Sequence, residues 1–285
     1  MERVSRSEGR PADSPRGVGR EVTGVGGAGD IDDAVARVET EQSHVDGKLT
    51  AYDRFEKTVR ESEVEDATPV AAGGCATALS AMAGGSGGGR CRRLRERFEE
   101  TVRPYSVDDV AGAEPIAETI REELGERIAL ALAPNGNARL TPRLRDGIVA
   151  SIDERRAELR AMSAALDRER QSLGNAEEGI RAIIDGAEAP GSGYLHRCGF
   201  DELRERHDRL GACRTRCDRL ARERQAVLAS ATSYGASAGM DHRTLVAYLY
   251  RDLPTDHPVL TAIVRVYAGC GGSQRALRDH LTRRV

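Results

Sequence analysis

The chain of 285 residues contains no tryptophan, and aromatic residues make up only 4% of it. Large aromatic side chains, which anchor many compact cores and interfaces, are therefore scarce. No apolar run approaches the ~18–20 residues that a membrane-spanning helix needs. The first residues mix arginine and acidic residues with glycine and proline, and they lack the apolar region of a signal peptide. We expect a cytoplasmic protein that does not enter a membrane, with its six cysteines reduced.

Lysine is almost as scarce, because Lys48 and Lys57 are the only two among 43 basic residues. Charged residues make up 31% of the chain, and the formal net charge is −3. This composition is typical of long, solvated helices. Residues 199–285 hold 15 arginines against 10 acidic residues, a local charge of +5. Such a surplus attracts polyanions, but arginine–glutamate pairs at i,i+4 on exposed helix faces explain it more simply.

Catalytic and phosphate-binding motifs are also missing. The six histidines are scattered, and no H-E-x-x-H or G-x-S-x-G motif occurs. The glycine-rich segments Gly17–Gly19 and Gly84–Gly89 lack the Gly-Lys-Ser/Thr ending of a phosphate loop. Carboxylates are plentiful, but their pattern places them on solvated helix faces rather than in one pocket. The sequence predicts a protein that is not an enzyme and holds no cofactor or metal ion.

The chain does have a regular seven-residue repeat of apolar side chains. Seven residues make about two turns of an α-helix, so the repeat forms one apolar seam. A seam of this length is buried against another helix, as in a coiled coil. We predict one helix from about residue 141 to 187. Its seam residues are Ile152, Leu159, Leu166, Leu173 and Ile180.

A second long helix is predicted from residue 201 to about 230, after a break at 189–193 that contains proline and glycine. Two long amphipathic helices joined by one loop most simply form an antiparallel pair. A further heptad pattern over residues 31–65 predicts a third helix beside them. The seam of the second helix consists of Leu203, Leu210, Cys213, Cys217, Leu220 and Val227.

The predicted fold is therefore all-α: a long antiparallel, coiled-coil-like helical hairpin with a third heptad helix and small helical caps. Residues 90–138 are predicted to form short helices, one of them from about 114 to 132. The six predicted parts are a disordered tail at 1–29, a long amphipathic helix at 30–66, a flexible Gly/Ala-rich linker at 67–89, the short helices at 90–138, the hairpin at 139–232 and a helical cap at 240–285.

Cys213 and Cys217 lie four residues apart and would share one helix face. A zinc ion would need two more ligands, and the nearest residues of suitable type are Cys198, His196 and His207. No paired C-x-x-C motif supports such a site. Both cysteines lie on the seam, where cysteine behaves as a small buried apolar residue. We predict core packing; a metal ion and a redox disulfide are the alternatives.

Residues 259–267, Gly271-Gly272 and residues 274–281 have the outline of a helix-turn-helix. Helical hairpins with this outline are common in proteins that do not touch DNA, and we predict a capping pair of helices docked on the bundle. A polyanion would contact phosphate-binding arginines on or beyond the second helix. These are Arg275, Arg278, Arg283 and Arg284.

Several strings of the chain resemble an uncharacterised family of haloarchaeal proteins, known as a domain of unknown function. The resemblance implies a helical build and no particular activity. The segment Cys270–Ser273 departs from the family, in which the last helices are more continuous. The matching strings are AYDRF at 51–55, RFEETVRPYS at 97–106, ERRAELRAMSAALDRERQSL at 154–173, YLYRDLPTDHPVL at 248–260 and DHLTRRV at 279–285.

These observations predict a non-catalytic coiled-coil interaction or scaffold protein. It would bind itself or another protein through its helix faces. The alternative is a nucleic-acid-associated regulator that uses the arginine-rich C-terminal part.

Overall fold

A computed structural model describes residues 28–65, 87–106, 115–134, 138–187, 195, 198–230 and 242–283. The described residues form eight α-helices and a 3₁₀ turn at Arg103–Tyr105, with no strand among them. The all-α class is therefore confirmed. The helices are α1 (Ala28–Glu61), α2 (Gly87–Thr101), α3 (Ile116–Leu124), α4 (Glu126–Ala131), α5 (Pro142–Ala187), α6 (Phe200–Ala229), α7 (His242–Tyr250) and α8 (Pro258–Thr282).

The chain divides into two compact units, and the divisions fall inside two helices, after Arg37 in α1 and after Glu169 in α5. Of the described residues, unit 1 contains 28–37, 170–187, 195, 198–230 and 242–283, and unit 2 contains 38–65, 87–106, 115–134 and 138–169. No helix within the described ranges is both long and apolar enough to cross a membrane.

In unit 2, α1 and the first part of α5 run antiparallel. Arg156 of α5 forms ion pairs of 2.6 Å with both Asp53 and Glu56 of α1. Further along the same pair, Gln42 donates a 2.7 Å hydrogen bond to Asp167. Helices α2, α3 and α4 complete the apolar core. Its largest fully buried side chains are Tyr52, Phe55, Leu94, Phe98, Ile120, Leu132, Leu140, Ile148 and Ile152.

In unit 1, the last part of α5 runs antiparallel to α6. Arg224 of α6 donates a 2.8 Å hydrogen bond to Ser172, and the Cys213 thiol donates a 3.6 Å hydrogen bond to the carbonyl of Ile183. A side chain at Gly179 would lie 3.1 Å from Leu220, so glycine at this position allows the two helices to approach closely. The antiparallel pairing of these segments is the hairpin that the seams favour.

The two seams of the long helices do not pair along their whole length. Helix α5 has 46 residues and α6 has 30, so at 1.5 Å per residue α6 is about 24 Å shorter. The contacts of α6 described above fall on residues 172–183 of α5, whereas α1 pairs with residues 156–167. The third heptad helix therefore packs in the same chain, on a different part of α5 from α6.

The prediction of one helix from about 114 to 132 is wrong, because α3 ends at Leu124 and α4 begins at Glu126. Between them Gly125 has φ 93° and ψ 160°, a backbone conformation that is essentially restricted to glycine. The apolar periodicity continues across this break and so could not reveal it. The one signal in the sequence was Gly125 itself.

The predicted capping pair of helices, which shared the outline of a helix-turn-helix, is also wrong, because residues 258–282 form the single helix α8. Tyr267 and Gln274, on either side of the glycines, both accept hydrogen bonds from Arg214 of α6. Tertiary contacts thus keep the helix continuous through residues of low helix propensity. Residues Gly87–Gly89 were predicted as linker, but they form the start of α2. Here too a tertiary contact stabilises helix at residues of low helix propensity, because the adjacent Arg90 forms an ion pair of 2.9 Å with Glu65.

The predicted disordered tail lies outside the described residues up to position 27, and Ala28 and Gly29 begin α1. Helix α1 ends at Glu61, five residues before the predicted limit. Residue 66 and residues 67–86 of the predicted linker also lie outside the described residues.

We expect Gly125→Ala to lower the free energy of unfolding by about 1–3 kcal/mol, because alanine is strained at this φ and ψ. The matched control is Gly147→Ala, an exposed position in α5 with no atom within 4 Å of the added Cβ. It should raise the free energy of unfolding by roughly 0.5–1 kcal/mol through helix propensity. Urea denaturation measures both changes. A stable Gly125→Ala variant would contradict the conformational assignment.

Candidate functional site

The most concentrated chemistry in unit 2 is a buried ionic cluster around Glu123 of α3. Lys48 Nζ of α1 lies 2.6 Å from Glu123 Oε1. The Tyr52 hydroxyl donates a 2.5 Å hydrogen bond to Oε2, and Arg155 Nε of α5 donates a 2.9 Å bond to the same oxygen. The glutamate therefore joins three helices through both of its oxygens. We call these four residues the Glu123 cluster.

The Glu123 cluster keeps its carboxylate charged inside the protein. Burial raises the pKa of Glu123, but the hydrogen bonds from Arg155, Lys48 and Tyr52 outweigh burial and hold the pKa at about 2. Burial, together with the neighbouring Glu123 charge and hydrogen bond, raises the pKa of Tyr52. A carboxylate with so low a pKa is a poor proton acceptor near neutral pH. The cluster is suited to joining helices rather than to acid–base catalysis.

Sequence reasoning missed the Glu123 cluster, although one signal was present. Lys48 is one of only two lysines in an arginine-rich chain, and it is buried, whereas Lys57 is exposed. The ammonium group of lysine is compact, whereas the guanidinium group of arginine is larger and planar. The buried site accommodates the smaller group.

In unit 1, the structure brings a third cysteine to the two that the sequence singled out. Cys270 of α8 and Cys213 and Cys217 of α6 are all buried and interact electrostatically. Burial raises the pKa of Cys217 to about 12 and that of Cys270 to about 11. We call these three residues the thiol cluster. Thiols with raised pKa values are chemically inert while they stay buried.

The metal alternative for Cys213 and Cys217 finds no support in the described ranges. There, no three side chains of His, Cys, Asp or Glu are arranged to hold a metal ion. His196, one of the suggested ligands, lies outside the described residues. The five cysteines in the described part of the chain form no disulfide bond.

The predicted seam residues fall into both units. Most are buried, while Leu159, Leu220 and Val227 are half-buried. In unit 2 the buried ones are Ile152 and Leu166, and in unit 1 they are Leu173, Ile180, Leu203, Leu210, Cys213 and Cys217.

The arginines suggested for polyanion binding lie on or just beyond α8. Arg275, Arg278 and Arg283 are exposed, and Arg284 lies outside the described residues. They extend from one continuous helix and not from the second helix of a helix-turn-helix. The helix-turn-helix geometry that would insert them into a DNA groove is therefore not formed.

The surface of unit 2 has a shallow depression of about 460 Å³ between α1 and α5. Arg60 of α1 faces Arg145, Asp146 and Asp153 of α5 across it. Charges of both signs line the depression, so it does not select a ligand of one charge.

One stretch of α5 in unit 2 is both uncharged and partly buried throughout. Residues 161–165, Ala-Met-Ser-Ala-Ala, carry no charge, and all five are half-buried. Arg160 before the stretch and Asp167, two residues after it, are exposed. We call residues 161–165 the α5 mid-segment. Small side chains allow a second helix to approach closely, so this segment is a candidate contact surface.

We expect Lys48→Arg to destabilise the protein by about 1–3 kcal/mol, because the larger guanidinium group overpacks the site beside Glu123. The matched control is Lys57→Arg, at a side chain that is 76% exposed. It should change stability by less than about 0.5 kcal/mol. Urea denaturation of both variants at neutral pH tests the difference. Equal stability of the two variants would contradict the packing of the Glu123 cluster.

Stability should also depend on the charge of Glu123. Its pKa is about 2 in the folded protein and 4.5 in the reference state, so its stabilising effect is complete above pH 4.5 and is lost as the pH falls towards 2. The loss amounts to about 3 kcal/mol. We expect Glu123→Gln to lack this part of the pH dependence in denaturation experiments between pH 6 and 2. Parallel curves for the two proteins would show that Glu123 titrates normally.

Comparison with known proteins gives one family match. A family model described as "Domain of unknown function (DUF7260)" matches residues 29–274. The match includes four of the five strings noted above, at 51–55, 97–106, 154–173 and 248–260. No curated protein and no solved structure matches the chain. Since the match covers far more than half of its length, the chain belongs to the family described as a domain of unknown function (DUF7260).

Proposed function

We propose that the protein is a non-catalytic interaction or scaffold protein that binds through the faces of its long helices. The observation that carries the proposal is the uncharged, half-buried α5 mid-segment. It is half-buried at all five positions, in a chain in which charged residues make up 31%. Helix surfaces without charge are those that a partner helix covers most readily.

The arrangement of charged groups supports a role without catalysis. Among the described carboxylates, Glu123 has the most strongly lowered pKa, and it already accepts hydrogen bonds from three side chains. The raised pKa values of the thiol cluster keep its sulfur atoms protonated and therefore poor nucleophiles. Reduced cysteines without disulfide bonds, as in the described part of the chain, are typical of a reducing compartment, and this supports a cytoplasmic location.

A nucleic-acid-associated regulator has less support. The idea rested on a helix-turn-helix outline, and residues 258–282 form one helix instead. The exposed arginines Arg275, Arg278 and Arg283 alone do not distinguish a polyanion site from an ordinary solvated helix face.

The proposal is tested with Ala164→Glu, which places a charge in the α5 mid-segment. The matched control is Ala150→Glu, at an exposed alanine two heptads earlier in α5. Light scattering after size-exclusion chromatography detects a second copy, and cross-linking with mass spectrometry on nuclease-treated native extracts detects another protein. We expect the association to weaken at least tenfold in Ala164→Glu and to persist in Ala150→Glu, with the same helicity in both.

Three results would contradict the proposal. The first is a monomer without cross-linked partners, and the second is equal association of both variants. The third is association that disappears on nuclease treatment, which would instead indicate a nucleic acid.

A further inference from the structure

Helix α8 of unit 1 contains three glycines within four residues, Gly269, Gly271 and Gly272. Glycine inside a helix weakens it, because the flexible backbone loses more conformational entropy on folding. Close packing does not require glycine at 271, since the nearest atom to an added Cβ is Arg275 Nη1 at 3.9 Å. Kinks in helices occur preferentially at glycine–serine pairs, and Gly272 precedes Ser273. The glycines therefore mark a point at which α8 can bend.

The part of α8 before the glycines is held by apolar packing. From residue 258 to 268 the helix buries five side chains that carry no polar group, and this is the kind of contact that gives a segment high local stability. They belong to Pro258, Val259, Ala262, Ile263 and Val266.

The part after the glycines is held differently. Between residues 273 and 282, Leu277 is the one fully buried aliphatic side chain, and Ser273 and Gln274 are buried polar residues. Gln274 Nε2 donates a 3.1 Å hydrogen bond to the carbonyl of His207, and its Oε1 accepts a 3.0 Å bond from Arg214. The Gln274 clamp joins this part of α8 to α6, while Leu277 is buried and Ala276 and Leu281 are half-buried. Its local stability is lower than that of residues 258–268.

Along α8, the packing changes from apolar to polar near Cys270, which belongs to the thiol cluster. Cys270 lies between Gly269 and Gly271, on the turn between Tyr267 and Gln274, both of which contact Arg214 of α6. Cys213 and Cys217 flank Arg214 along α6. The bend therefore lies where α8 covers the thiols.

We propose that residues 273–282 form a latch that swings away from α6 about Gly269–Gly272, while residues 258–268 stay docked, and that this opening makes Cys270 accessible to solvent. In the closed state Cys270 has no exposed surface. The latch is a conformational device that turns a buried, inert thiol into a conditionally reactive one.

Hydrogen–deuterium exchange on the full chain, resolved by peptide, tests the latch directly. We expect all amides of 273–282 to exchange at least tenfold faster than those of 258–268, with a step at the glycines. Simple fraying of the helix end would give a gradual increase towards residue 282 instead, and it would overturn the proposal.

Two sets of variants test the hinge and the clamp. Gly271→Ala combined with Gly272→Ala stiffens the bend and should slow exchange throughout 273–282 about tenfold. Gln274→Ala removes the clamp and should accelerate exchange in the same segment alone. The control Gly174→Ala, on α5 of the same unit with open space around the added Cβ, should leave the latch unchanged.

Alkylation by N-ethylmaleimide, followed at each cysteine by mass spectrometry, tests the thiol part. Cys270 should react at the opening rate of the latch, and its reaction should slow in the Gly271→Ala/Gly272→Ala variant. Cys91, buried in unit 2, serves as the control thiol whose rate does not change. Equal changes at Cys270 and Cys91 would show that only global unfolding exposes them, and would overturn the proposal.

Discussion

The burial of the apolar seam of helix α5 is the constraint on which both units depend. A helix of 46 residues cannot leave such a seam in water, and each part of it needs a partner helix. Contacts with α1 fall on residues 156–167, and contacts with α6 fall on residues 172–183. One continuous helix thus supplies core side chains to two units. The stability of unit 2 therefore depends on the packing of α1 against the seam, and that of unit 1 on the packing of α6.

The Glu123 cluster adds specificity to this apolar packing. Heptad seams can slide by one repeat at little cost, because each leucine or isoleucine resembles the next. A buried carboxylate with fixed donors on two other helices cannot slide, since an unpaired buried charge is strongly unfavourable. Glu123, Lys48 and Arg155 therefore define the register of α1, α3 and α5 within unit 2. The polar clamp at Gln274 acts in the same way on α8 in unit 1.

The two units differ in how they combine stability and mobility. Unit 2 has a core with large buried side chains, including the edge-to-face pair Phe55 and Phe98 at 5.4 Å. In unit 1, the end of α8 combines the hydrogen bonds of Gln274 with one fully buried leucine, Leu277. Under the proposed function, the core of unit 2 would present the contact surface, and the proposed latch of unit 1 would respond to its surroundings.

The sequence by itself determined the helical class, the approximate bounds of the long helices and the seam residues, because helical periodicity is a local property of the chain. It did not reveal the break at Gly125, the continuity of α8, the Glu123 cluster or the approach of Cys270 to Cys213 and Cys217. Each of these depends on residues far apart in the chain, or on a backbone conformation that packing selects. Only the tertiary structure decided which helices face each other, because many pairings of similar amphipathic helices satisfy the same pattern, and buried charges and close contacts choose among them.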